Sequence, residues 1–221
     1  RLFRKLPISI IQKDFELLLT QAYILFYNAD HIGISQVVNQ MEKMASNPDI
    51  DPQLHGEYLF FLGYVTIYIK KDQANCLIHM KAGLDKVPES SSEPRGLLEL
   101  FYAFFSQFAG HYDGVTKWLT NIISKSKDFA SIRRNRLYLG LFFSSVAQAD
   151  LEHVLNNKES ALNLARKSGM KDSLGMCHYM IGQVFFRKGE WQNAITWHLK
   201  VVDLRYHVHT RSMEDCFTAL T

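Results

Sequence analysis

Apolar residues recur three and four positions apart along most of the chain, and strict alternation of apolar with polar residues never persists. That period predicts helices almost throughout. Glycine and proline are scarce inside the apolar patterns and fall between them, at Asn47-Pro48, Pro52, the run from Pro88 to Pro94, Gly110, Gly169 and Gly189.

The clearest unit runs from Gly175 to Leu204, GMCHYMIGQVFFRKGEWQNAITWHLKVVDL. Its first helix carries Ile181, Gly182 and Phe185, Gly189 closes a turn, and Ala194, Trp197, His198 and Val201 mark the second helix. Gly182 lets two helices approach, Gly189 supplies permissive dihedrals, and the small Ala194 lets the second helix pack on the first. This is the tetratricopeptide arrangement. Weaker copies precede it, with Ala22, Ile34 and Val38 in the first. Leu62, Gly63 and Ala74 mark the second, which has a turn expected to be one residue shorter. Val115 and Leu119 follow Gly110 in the third, and Val154 lies in the fourth. Taking Ile34, Ala74, Val115, Val154 and Ala194 as one register gives steps of 40, 41, 39 and 40 residues, longer than the plain unit of about 34. The expected fold is all-α, a right-handed superhelical solenoid of about five tetratricopeptide-like helix-turn-helix repeats, a single domain over residues 1–221. The segment VPESSSEPR from Val87 to Arg95 is expected to link repeats, because the register continues across it.

Composition fits one extended core: 47% of the 221 residues are hydrophobic. With 25 Lys and Arg against 22 Asp and Glu, the formal charge of +3 gives no concentrated positive field, so direct nucleic-acid binding is not expected. Cys76, Cys177 and Cys216 stand far apart within apolar patterns and read as small buried hydrophobes in a reducing compartment. No apolar run reaches the ~20 residues of a membrane span, and RLFRKLPISII lacks the features of a signal peptide. A cytoplasmic location is expected. The chain starts at Arg1 without methionine and stops at Thr221 within a helical pattern, so it reads as a fragment of a larger protein.

The final third is more specific. QADLEHVLNNKESALNLARKSG, followed by MIGQVFFRKGEWQNAITWHLKVVDLRYHVHTRSMEDCFTALT, resembles the sensor region of MalT-like, LuxR-type ATP-dependent transcriptional regulators. The matching elements are ADLE at Ala149–Glu152, ALNLA at Ala161–Ala165, IGQV at Ile181–Val184, Ala194, and the pair Arg205-Tyr206. The N-terminal half, from LPISIIQKDFELLLTQAY onward, is similar to the start of the same superhelical region. The resemblance implies a sensor that receives an inducer or regulatory partner and relays it to self-association and transcription. ATP hydrolysis and DNA binding are expected to lie outside this chain, which has neither a GxxxxGK[ST] loop nor a DNA-reading unit. A constitutive tetratricopeptide-type scaffold for a partner peptide is the alternative.

First helices of such arrays line the concave face. Reading that face gives Tyr23, Phe26 and Tyr27, then Phe60, Tyr64 and Tyr68, then Phe104, Gln107 and Phe108, and finally Tyr179, Gln183, Phe186 and Arg187. Of these, Tyr23, Tyr27, Tyr64, Tyr68, Phe104, Phe108, Tyr179, Gln183 and Arg187 are the candidate ligand contacts. Rings bury area at small entropic cost while polar tips fix orientation, which suits sugars, peptides or flat small molecules. The alternative is that the rings pack between repeats. No catalytic residue, metal or cofactor is expected: GxSxG and HExxH are absent, and His207 and His209 lack further ligands at useful spacing. The carboxylates are expected on solvated helix faces. Arg133, Arg134 and Arg136, which open a helix against its dipole, are expected at a solvated end, with an anionic partner such as a nucleotide-binding domain of the same protein as the alternative.

Overall fold

In a computed structural model of the chain, residues 7–208 and 210–220 are described. They form twelve helices and no strand: α1 (Ile8–Ile11), α2 (Phe15–Tyr27), α3 (His31–Ala45), α4 (Pro52–Tyr68), α5 (Gln73–Lys86), α6 (Ser92–Phe108), α7 (Tyr112–Ser124), α8 (Ser131–Ala147), α9 (Leu151–Ser168), α10 (Lys171–Arg187), α11 (Trp191–Asp203) and α12 (Thr210–Leu220). Two compact units result, Arg1–Pro94 and Arg95–Thr221. The division falls in the serine- and proline-rich segment, which is a loop only as far as Ser91. Ser92–Arg95, expected as linker, is the first turn of α6.

Five helix pairs, α2/α3 and α4/α5 in the first unit and α6/α7, α8/α9 and α10/α11 in the second, are each joined through a left-handed turn residue. Each second helix starts from Asp30, Asp72, His111, Asp150 or Glu190. The three aspartates accept a backbone N–H of the first turn, from Gly33, Asn75 and His153, satisfying donors the helix leaves open. The residue before each start is left-handed: Ala29, Lys71, Gly110, Ala149 and Gly189 have φ of 55°, 58°, 78°, 59° and 73°. Glycine adopts that region freely, whereas alanine and lysine do so at some cost. In four turns the starting residue donates its N–H to the carbonyl five residues back, as Asp30 does to Leu25 and Glu190 to Phe185. Asp72 reaches instead to Thr66, so the second turn is one residue longer than the others rather than shorter.

That extra residue moves the register. The fourth residue after each start is buried in all five pairs: Ile34, Cys76, Val115, Val154 and Ala194. Ala74, expected in this series, is exposed. The corrected steps are 42, 39, 39 and 40 residues. Opposite these positions each first helix presents Ala22, Gly63, Ala103, Phe142 or Gly182, and four of the five are small. A Cβ added at Gly182 would lie 2.7 Å from Cε1 of His198, so the α10/α11 approach requires glycine there.

Each unit encloses its own core. In the first, Leu18, Ala22, Ile34, Met41, Phe60, Phe61, Cys76 and Met80 are buried. In the second, Phe142, Val154, Leu162, Cys177, Ile181 and Ala194 belong to one cluster, and Ala103, Val115, Leu119, Leu137 and Leu141 to another. A small third cluster, Val201, Met213 and Cys216, holds α12. Burial of this apolar surface, at ~25 cal/mol per Å², is the dominant stabilising term. No helix among the described residues is long and apolar enough to cross a membrane.

Candidate functional site

In the first unit the four predicted tyrosines gather in one aromatic cluster on α2 and α4. Tyr23 meets Phe61 edge-on at 4.8 Å between ring centroids, and Phe26 meets Tyr27 and Tyr64 at 5.4 and 5.2 Å. Tyr64 and Tyr68, one helical turn apart, lie 4.5 Å from each other. His31, from the start of α3, stacks nearly parallel on Tyr68 at 4.9 Å and hydrogen-bonds through Nδ1 to the Tyr64 hydroxyl at 3.0 Å. Tyr64 is buried, and burial pushes its phenol well above the ordinary value, with Tyr68 adding to the shift. Tyr27 keeps 46% of its surface exposed.

In the second unit, Phe104 and Phe108 of α6 meet at right angles, 5.1 Å apart, and Phe143 of α8 lies 4.9 Å from Phe104. Phe108 is 64% exposed. Gln107 is buried and, with its amide turned, donates to the carbonyl of Phe143 and accepts from the N–H of Ser144, tying α6 to α8. On α10, Tyr179 is half-buried, Gln183 is half-buried and Arg187 is exposed. Phe186, 37% exposed, packs edge-on against Trp191 across the turn.

The tyrosine hydroxyls mostly face protein partners. Tyr23 donates to Oε2 of Glu57 at 2.8 Å, and Tyr179 donates to Oδ2 of Asp215 at 2.6 Å. Burial, then the bond to Asp215, raises the Tyr179 phenol well above its ordinary value. Together with Tyr64 on His31, three of the five predicted tyrosine tips are bonded within the chain. Outward, these residues offer the rings of Tyr27, Phe108 and Phe186 together with the charged end of Arg187.

Glu57, His31, Phe143 and Asp215 were missed by the sequence reading. Phe143 had a signal, since counting twelve residues back from Val154 gives Phe142 and puts Phe143 level with Tyr23, Phe104 and Gln183. The other three had none, because a polar residue near a helix start reads as solvated.

The arginine cluster at the start of α8 is not a solvated end. Arg133 is 1% exposed and Arg136 is 2% exposed. Arg133 grips Glu99 of α6 with both arms, Nε to Oε2 at 3.0 Å and Nη2 to Oε1 at 2.6 Å, and its guanidinium sits 3.8 Å over the ring of Phe129. Arg95 adds a bond to the same carboxylate at 3.1 Å. Glu99 and Glu57 are both buried, against the expectation of solvated carboxylates. Pairing and hydrogen bonding offset the desolvation that would otherwise exclude such charges.

All three cysteines are free and buried, and burial pushes each thiol up to about 12. Cys216 lies 3.2 Å from Nδ1 of His198, but both side chains are sealed from solvent, so the pair presents no accessible nucleophile. Burial also lowers His178 to about 4, helped by Lys200 and Arg166. Among the described residues no group of three His, Cys, Asp or Glu side chains is placed to hold a metal ion. His209, one of the two histidines weighed for metal binding, lies outside the described residues. No protein-family model matches the chain, and no curated protein matches it.

Proposed function

We propose that this chain is the effector- or partner-binding region of a transcriptional regulator of the MalT-like, LuxR-type class, built as a superhelical array of tetratricopeptide-like repeats. Five helix pairs joined through a left-handed residue, four of them by the same turn, support the repeat part of that reading. Several of the motifs that carry the family resemblance sit at packing positions: Asp150 of ADLE starts α9, Ala161, Leu162, Leu164 and Ala165 of ALNLA are buried, and Gly182 of IGQV admits His198, whereas Arg205 and Tyr206 are exposed. Relay to nucleotide-hydrolysing and DNA-binding parts outside the chain belongs to the proposal, as do a cytoplasmic location and self-association.

The observation that supports one kind of ligand over another is the direction of the tyrosine tips. A polyol needs many outward hydrogen-bonding groups, whereas Tyr23, Tyr64 and Tyr179 spend theirs on Glu57, His31 and Asp215. Exposed ring surface at Tyr27, Phe108 and Phe186 suits an apolar peptide or helix instead. The same surface serves a constitutive scaffold, and the two readings part on whether binding responds to an effector.

Calorimetric titration with a panel of sugars, nucleotides and amphipathic peptides tests the choice, using the wild type, Tyr27→Ala and Phe108→Ala. Peptide binding that weakens about tenfold or more in a variant, as for an anchoring aromatic, supports the reading. A sugar bound equally by all three proteins overturns it. The encoding gene tests the regulator class: a phosphate loop upstream and a helix-turn-helix downstream are expected, and a full-length gene with neither removes the assignment.

A further inference from the structure

The described contacts of α12 with the rest of its unit run through Ser212, Met213, Asp215 and Cys216. Its core is Met213 and Cys216 against Val201, with Tyr179, Val202 and Val208 at the margin. Its polar contacts include Asp215 with the Tyr179 hydroxyl, Cys216 with His198, and a long bond from Ser212 to the sulfur of Met176. The pair α10/α11 has a separate and larger core with α8 and α9, so it does not depend on α12 for its own packing.

His198 is the singular feature of this contact. Its ring is wholly buried between Gly182 of α10 and Cys216 of α12, with Nδ1 on the thiol and Nε2 without any hydrogen-bond partner. A protonated imidazole carries an N–H on both nitrogens. In the docked arrangement the Nε2 donor would face no acceptor among the described protein groups, and the positive charge would be sealed from bulk solvent. Leaving a buried donor unpaired is costly, and leaving a buried charge so is costlier.

We propose that α12 is a detachable strap over α10 and α11, released when His198 takes up a proton, and that its release uncovers the hydroxyl of Tyr179. Withdrawal of α12 removes Cys216 from one side of the ring and opens that side to water, so the cation is accommodated in the released state and not in the docked one. Burial holds His198 below the ordinary imidazole value, although Asp215 works in the opposite direction. The released state therefore binds more protons than the docked state below about pH 6.5, and docking weakens as pH falls. His178 of α10, lowered to about 4, stays neutral through this range, Lys200 of α11 acts on His178, and Arg187 acts on Tyr179. Release itself is independent of what the chain binds, whereas the consequence for a ligand on α10 rests on the function proposed above.

Hydrogen exchange of the whole chain between pH 7.5 and 5.5, corrected for the intrinsic pH dependence of exchange, reads the strap directly. Protection of residues 210–220 is expected to fall by up to about tenfold per pH unit below about 6.5, while α8 and α9 stay constant. Flat protection in 210–220, or loss in step with α8 and α9, overturns the proposal. His198→Phe keeps a ring in place and is expected to abolish the pH response; a response that persists overturns it. Should that variant fold poorly, Tyr179→Phe leaves His198 untouched and is expected to reduce protection of 210–220 several-fold at pH 7.5 with the same pH slope. Unchanged protection in Tyr179→Phe overturns the strap contact.

Discussion

Replacing Glu99 by Met tests whether the buried ion pair organises the start of the second unit. One carboxylate, wholly buried on α6, serves two guanidiniums: Arg133 bidentately at 3.0 and 2.6 Å, and Arg95 at 3.1 Å. Removing it deprives a nearly inaccessible Arg133 of its bidentate counter-ion, which for buried pairs costs about 3–5 kcal/mol. Arg133→Met is milder, about 1–3 kcal/mol, because Arg95 remains on the carboxylate. The double variant, with two apolar chains of similar length facing each other, is expected to recover most of the loss, to within about 1–2 kcal/mol of wild type. Urea unfolding followed by circular dichroism gives the three values and the coupling between them. Two results refute the reasoning: a Glu99→Met cost below about 1 kcal/mol, or a double variant that costs as much as the two single changes together.

The left-handed turn residues give a paired test by chemical denaturation. Ala29→Gly and Ala149→Gly are expected to stabilise by about 0.5–1 kcal/mol, and Gly110→Ala and Gly189→Ala to destabilise by about 1 kcal/mol, since a Cβ there meets no close neighbour and the cost is that of the backbone. Within helices, Gly182→Ala is expected to lose about 1–3 kcal/mol against the fixed ring of His198, whereas Gly114→Ala, in open space, gains about 0.5–1 kcal/mol. Thermal melts of the two variants moving in the same direction would contradict this. With every thiol buried and pushed up to about 12, a disulfide reagent at pH 8 is expected to label none of the 3 cysteines in the folded chain within minutes and all of them in urea. Rapid labelling of one cysteine in the folded protein would show that its site opens.

The repeat was legible where residue type and geometry coincide. Gly110 and Gly189 announce left-handed turns, and Gly182 announces a close helix approach, because glycine alone meets those demands cheaply. Ala29, Lys71 and Ala149 occupy the same backbone region with nothing in their side chains to mark it. Without a marker at Lys71 the length of the second turn was misjudged, and Ala74 took the place of Cys76. The polar interior was hidden for another reason. Glu99 and Arg133 are 34 residues apart, Tyr23 and Glu57 are 34, Tyr64 and His31 are 33, and Tyr179 and Asp215 are 36. Each bond joins a helix to one outside its own helix pair, so neither partner shows a local pattern. A charged residue whose partner is a whole helix pair away looks solvated.

Those same cross-pair bonds bear on how any ligand is recognised. Placing a tyrosine on a carboxylate or imidazole outside its own helix pair fixes the ring in one orientation, so its exposed face is held in place before anything binds. Binding then loses little side-chain entropy, but the tip has no hydrogen bond left to give. Selectivity on such a face has to come from the shape of the ring surface. Tyr179 is the exception that the structure builds in, because its partner Asp215 stands on α12, held by a small core of its own. Where the partner can leave, a polar tip returns to the surface. A ligand that hydrogen-bonds Tyr179 would therefore bind in competition with α12, and its affinity would rise as the strap is released.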